Sequence, residues 1–193
     1  MIRRATAADS QRIADELWRN WHQLKARQLG SVPREYSSSE VLAAKIGGEL
    51  DRWLVCESSD PKQLGFFFCS NLGANQIFKR YRFPERSLHI EKFACLLPSE
   101  VILEHLRLLA AHFPNESILL CLPTPLRAAY WAGLKAGFKL LGESPMILGT
   151  SAWLYLDREK RFEEIQTKLR RAKLIVPEPD SSPRGNRVTR ARQ

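Results

Sequence analysis

Residues 87–113, SLHIEKFACLLPSEVILEHLRLLAAHF, constrain the fold of this chain more than any other stretch. Apolar residues alternate and then run on continuously, Pro98 and Ser99 interrupt them, and leucines at helical spacing follow. The pattern predicts a strand, an abrupt corner and a helix. Strand ends and helix N-termini expose unpaired N–H groups that favour anions, so the corner is the expected place for a ligand.

Around this centre, short strands and helices are strung in a recognisable order. Residues 2–5 predict a first strand, and Thr6 with Asp9 predicts a capping box whose carboxylate also suits the helix dipole. The helix behind it sets Ile13, Leu17, Trp21 and Leu24 on one face and stops near Gly30. A second helix is announced by three serines and Glu40, with Leu42, Ile46 and Leu50 at i, i+4 spacing. Residues 52–57 and 63–70, rich in Trp, Val and Phe, flank the turn-forming SSDPK and predict an antiparallel hairpin.

Beyond the centre, SILLCL at residues 117–122 suits a strand covered on both faces. Thr124 and Pro125 predict the N-cap and first residue of a helix that closes at Gly137, with Phe138 tucked behind it. Residues 138–141 and 151–156 supply two last strands. From Arg158 a helix turns Phe162, Ile165 and Leu169 inward as far as about Lys173, with Glu164 and Lys168 as an i, i+4 pair.

The formal net charge of +9 is unevenly spread. Residues 158–193 hold eleven Lys and Arg against five acids, so the body is nearly neutral and the C-terminal part is basic. Past Val176 the sequence PEPDSSPRGNRVTRARQ offers almost nothing to bury, which predicts disorder in the absence of a partner. The expected organisation is a domain over 1–157, a basic amphipathic helix over 158–176 and a basic tail over 177–193.

Cys56, Cys69, Cys95 and Cys121 lie in separate apolar runs with no CxxC pair. They read as reduced core residues, which implies a cytoplasmic location. No apolar run approaches the roughly 20 residues of a bilayer span and the N-terminus has no apolar signal core, so neither export nor membrane association is expected.

Three further features admit two readings each. KRYRFPER at residues 79–86 mixes four cations with Tyr81 and Phe83, as nucleic-acid contacts do by phosphate pairing and base stacking, and as a solvated loop does equally. His105 and His112 are seven apart, without the i, i+4 spacing of a zinc pair, so surface positions are expected and no metal is. Trp18 and Trp21 either pack the core or line a pocket.

The order of elements, with IRRATAADSQRIADEL at the start and AAYWAGLKAGF near the end, resembles the GNAT superfamily of N-acetyltransferases. Ile2, Arg3, Ala5, Thr6, Asp9, Ala129, Gly137 and Phe138 carry the match, over residues 1–157. The resemblance implies an α/β (α+β) fold: a mixed, mostly antiparallel twisted sheet with helices on both faces, here extended by a C-terminal helix and basic tail. It also implies acetyl-CoA as cosubstrate, lying where the central strand splays from its neighbour, and an amine-bearing acceptor.

Two departures from the family stand out. Its pyrophosphate loop is rich in glycine, whereas no glycine occurs between Pro98 and Phe113, and Glu100 and Glu104 would repel phosphate. Its frequent acid, a tyrosine four residues before the Gly of Gly-Phe, is replaced by Gly133, with Tyr130 and Trp131 nearby.

By the resemblance, Glu91 serves as base, deprotonating the amine, often through water. Strand alternation puts His89 on the same face, with Phe93 and Cys95 further along it. Backbone N–H groups from Cys95 to Leu97 would steady the thioester oxygen, and those near Ser99 and Val101 would meet the pyrophosphate. Arg127 and Trp131 would border the cofactor, and Tyr130 would protonate the departing thiolate. The competing reading is a scaffold of the same fold that has lost this site and binds RNA, a ribosome or an acidic protein through residues 158–193.

Overall fold

The computed structural model describes residues 1–57, 63–72, 76–124, 126–146 and 149–176. The SSDPK turn, Pro125 and the basic tail lie outside the described residues. One seven-stranded sheet is built from β1 (Ile2–Arg4), β2 (Trp53–Cys56), β3 (Gly65–Asn71), β4 (Ser87–Phe93), β5 (Ser117–Pro123), β6 (Lys139–Met146) and β7 (Gly149–Leu156). Its order is β1-β2-β3-β4-β5-β7-β6; only β4 and β5 run parallel. The helices are α1 (Ser10–Ala26), α2 (Ser39–Gly47), α3 (Gln76–Arg80), α4 (Ser99–His112), α5 (Arg127–Lys135) and α6 (Phe162–Arg171).

Strand alternation divides the core between two faces. Phe67, Ile90, Ile118, Leu120 and Leu154 point to the face covered by α4 and α5, where Ile102, Leu106, Leu109 and Ala129 meet them. On the opposite face Val55, Phe66 and Phe68 receive Ile13 and Leu17 of α1 and Leu42 and Ile46 of α2. Further along that face Leu119 and Tyr155 receive Phe83, just after α3, and Ile165 and Leu169 of α6. The expected helices on both faces of a mixed, mostly antiparallel sheet are therefore what the chain forms.

The start of the chain is fixed by charge. Asp9 accepts two hydrogen bonds from the Arg3 guanidinium, at 2.7 and 2.9 Å, and both the N–H and the hydroxyl of Thr6 donate to its Oδ2 at 2.8 Å. The Arg3 guanidinium holds this carboxyl well below the usual carboxylate range. At its other end α5 stops where Gly137 takes φ 97°, and the Phe138 N–H returns to the Gly133 carbonyl at 3.1 Å. A residue with a side chain is strained in that conformation, which explains the Gly-Phe pair.

Several sequence expectations change. His105 is buried, at 3% exposure, because its ring packs against Gly65 of β3, where a Cβ would approach to 2.5 Å. Phe83 is also buried, edge-on to Phe78 and Tyr155 at 5.6 and 5.5 Å, so it is not free to stack on bases. Glu164 pairs across the fold with Arg82, at 3.7 Å. α5 begins at Arg127, with Leu126 before it.

Candidate functional site

β4 and β5 are paired only from Ser87 to Ile90 and from Ser117 to Leu120. Both strands continue, to Phe93 and to Pro123, without pairing to each other. The sheet therefore opens at this end, and polar backbone groups on the facing edges lack the ladder partners they have below. A cavity of about 130 Å³ occupies the opening, bordered by Glu91, Lys92 and Cys95 on one side, Cys121 on the other, and Asn20 and Trp21 of α1 above. A second cavity, of about 250 Å³, is lined by Arg27, Cys95, Leu96, Leu97, Leu126 and Arg127. Cys95 belongs to both walls. Ile102 stays in the α4 core and α6 packs further along the sheet, so neither fills the opening.

Glu91 reaches this opening through an irregularity. On β3, Phe68 pairs with Lys92 and Cys69 with Ile90, which leaves Glu91 as one extra residue in β4. Such a bulge breaks strict alternation and re-aims side chains. Phe93 consequently joins Ile90 in the α4–α5 core instead of sharing a face with His89. Glu91 turns the other way, to Arg52 at 3.3 Å. Arg52 and Lys92 both lie over the Phe68 ring, at 4.1 and 4.3 Å. Burial lowers the Lys92 pKa, with Glu91 opposing the effect.

His89 shares the Glu91 face but lies deeper, with its ring 5.9 Å from that of Phe78, and burial lowers its pKa. It is therefore biased to the neutral form. The thiols of Cys95 and Cys121 are pushed up by burial, to about 11 and about 12. They are un-ionised at neutral pH and are poor nucleophiles in this state.

At the corner, the Cys95 N–H donates to the Phe93 carbonyl at 2.8 Å, so this amide is already engaged. Leu96 and Leu97 follow in the wall of the second cavity. The first hydrogen bond of α4 runs from Ile102 N–H to the Pro98 carbonyl, which places the amides of Ser99, Glu100 and Val101 at the open helix end. Glu100 turns back on that end: its own backbone N–H and the Ser99 hydroxyl, at 2.9 Å, hold its carboxyl below the usual range. An anion supplied by the chain itself thus sits where a phosphate would bind, with Lys135 as the cation that acts on it, while Arg27 and Arg127 line the second cavity.

On α5 the cavity wall comes from Leu126, Arg127 and Ala128, one turn before Tyr130. Tyr130 packs into the α4–α5 core with its ring 5.6 Å from that of Trp131, which is itself 56% exposed. Gly133 faces β7 so closely that a Cβ would come within 2.5 Å of Leu154. A tyrosine at that position would have to push aside the buried Leu154 side chain.

These features, a central parallel pair that opens beside a bulged strand, with α4 and α5 on one face and α1, α2 and α6 on the other, decide the architecture. The fold is that of the GNAT N-acetyltransferases. Among solved structures sharing this GNAT fold is an N-acetyltransferase from Staphylococcus aureus Mu50, at 18% identity and TM-score 0.56, covering 81% of this chain and 100% of that one. A ribosomal-protein-S5-alanine acetyltransferase from Vibrio fischeri matches at 13% identity and TM-score 0.60, over 82% of this chain and 93% of its own. The aminoglycoside acetyltransferase AAC(6')-Ib in complex with coenzyme A matches at 15% and 0.59, over 90% and 98%. Neither a protein-family model nor a curated protein matches the sequence.

Two cavity residues escaped the sequence reading. Asn20 is 4% exposed and lines the opening, and its amide nitrogen has no hydrogen-bond partner among the described residues. The signal was present, because Asn20 interrupts the apolar stripe between Leu17 and Leu24. Arg27 carried no such signal, since only the crossing of α1 over the open strands brings it to Cys95.

Proposed function

We propose that this protein is an acyl-CoA-dependent N-acyltransferase that moves an acetyl group, or a close relative, to an amine. The observation that carries this reading is the opening of β4 from β5 after Ile90 and Leu120, with Glu91 on its border. Its neighbours in fold, solved with coenzyme A or acetyl-CoA, support the choice of cosubstrate. The thioester arm fits along the unpaired edges past Cys95, and its phosphates fit beside Arg27 and Arg127, which stand in for the missing glycine-rich loop.

The acceptor amine enters from the α1 side, between Asn20 and Glu91. Glu91 takes a proton from the ammonium, directly or through water, and the amine nitrogen attacks the thioester carbonyl. A C–N bond forms, the C–S bond breaks and the sulfur leaves as thiolate, which takes up, through water, the second proton that the nitrogen sheds to become an amide. The Asn20 amide is available to donate to an oxygen of the acyl group or acceptor. Un-ionised Cys95 and Cys121 favour direct transfer over a route through an acyl-cysteine. His89 stands behind Glu91 as a neutral neighbour, and Tyr130 is assigned no step.

Glu100 at the α4 end, the missing glycines after Pro98 and Gly133 in place of a tyrosine favour a scaffold that binds without turning over. A thermal-shift titration with acetyl-CoA and with CoA separates the two. Ligand at a hundredfold excess over Kd stabilises by about 2.7 kcal/mol, a rise of several degrees in Tm. Arg27→Ala with Arg127→Ala should weaken that rise. No shift at millimolar concentrations overturns the transferase reading.

A further inference from the structure

At the opposite end of β4, two basic segments far apart in sequence are brought to one wall. Residues 79–86 carry four cations against Glu85, and residues 158–173 carry seven against three acids. They meet over a shared core, in which Phe83 of the first segment and Ile165 and Leu169 of the second pack around Tyr155. Between them lies an open cavity of about 520 Å³, with Lys79, Arg82 and Arg86 on one side and Arg161 on the other.

Two of the cations, Arg82 and Arg161, are held in place. Arg82 sits in a left-handed turn, φ 68°, beside Glu164. The backbone at Arg161 is fixed by Asp157, whose carboxylate accepts the N–H groups of Arg161 and Phe162 at 3.1 and 3.0 Å. The acid Glu159 in the wall is engaged by Arg161 at 3.4 Å.

We infer that this cavity and the exposed side of α6 form a binding surface for the phosphate backbone of a nucleic acid, independent of the acyl-transfer site. Three observations choose this ligand. The two segments hold +3 and +4 of the net +9 and the residues after Val176 hold +2, so the rest of the chain is neutral and the positive field is concentrated here. The wall is charged rather than apolar, and Phe83, its aromatic residue, is buried, which suits phosphate contacts without base stacking. The basic stripe continues through Lys168, Arg170, Arg171 and Lys173. The ten residues of α6, at about 1.5 Å each, span roughly 15 Å, about four base-pair rises and too long for a single phosphate. Binding should therefore be insensitive to sequence and steep in salt.

The test uses the full chain and fluorescence anisotropy with a 20-base-pair RNA duplex, a DNA duplex of the same sequence, and vesicles containing phosphatidylserine, each over a salt series. Each phosphate contact contributes about 0.7 to 0.9 to the slope of log K against log salt. Lys79→Ala, Arg86→Ala and Arg161→Ala together change exposed side chains, should leave Tm unchanged, and should reduce the slope on either duplex by about 2 to 3. A second variant replacing Arg184, Arg187, Arg190 and Arg192 with Ala should retain the part of the slope that the triple variant loses. An unchanged slope in the triple variant, loss of all binding with the tail variant alone, or binding to vesicles without binding to either duplex would each overturn the proposal.

Discussion

The two ends of β4 belong to one continuous strand and have opposite surroundings. From Leu88 to Ile90 the strand is paired on both sides, and its neighbours Leu119 and Leu120 are buried on opposite faces. From Glu91 to Phe93 it is paired on one side only, carries the bulge, and borders a cavity. The paired end is held by the ladder and by burial, so its side chains serve stability. At the open end some of that pairing is given up, and the exposed groups become available to a ligand.

Substitutions on either side of the boundary should therefore separate activity from stability. The largest effect is expected at the open end: Glu91→Gln should lower kcat/KM by about 10²- to 10⁴-fold, with urea unfolding nearly unchanged. Full activity in this variant would remove Glu91 as the base. One residue earlier, Ile90→Ala should cost roughly 2 to 5 kcal/mol of unfolding free energy, because the side chain is 1% exposed in a packed core. A loss at Ile90 no larger than that at Glu91 would mean the boundary lies elsewhere.

A smaller effect is expected across the opening. Asn20→Leu should raise the acceptor KM up to about tenfold, the cost of one hydrogen bond. It should leave Tm the same or higher, since an unpartnered buried amide is removed. A fall in Tm with KM unchanged would make Asn20 a structural residue.

The smallest effect concerns pH. Burial lowers the pKa of both His89 and His105, so below about pH 6.5 the unfolded chain binds more protons than the folded one. Stability should fall as pH drops through that range, by at most about 1.4 kcal/mol per pH unit for each histidine. His105→Leu should flatten the profile; an equally steep profile would place the titrating group elsewhere.

Most of the fold was legible because apolar spacing and punctuation agree. The alternation before Pro98, the leucines after it, and Gly137 with Phe138 each encode their structure locally. The site was legible only in part. Glu91 could be found as a carboxylate on the central strand, but the bulge that separates it from Phe93 depends on the pairing with Phe68 and Cys69, which no single-strand pattern reveals. His105 looked like a surface residue because the sequence does not show that Gly65, forty residues earlier, leaves room for its ring. The basic cavity was invisible for the same reason: Arg161 and Arg86 are neighbours only after α6 folds back over the sheet.

The sheet ends at β1 on one side and β6 on the other, and β6 does not present a bare edge there. Val176 exchanges two backbone hydrogen bonds with Glu143, at 2.7 and 3.1 Å, while Gly142 clears the path for the crossing segment. A second molecule arriving to extend the sheet at this margin meets a lane already taken. The opposite margin is only three residues long and includes two arginines, so strand addition between copies is disfavoured at both limits.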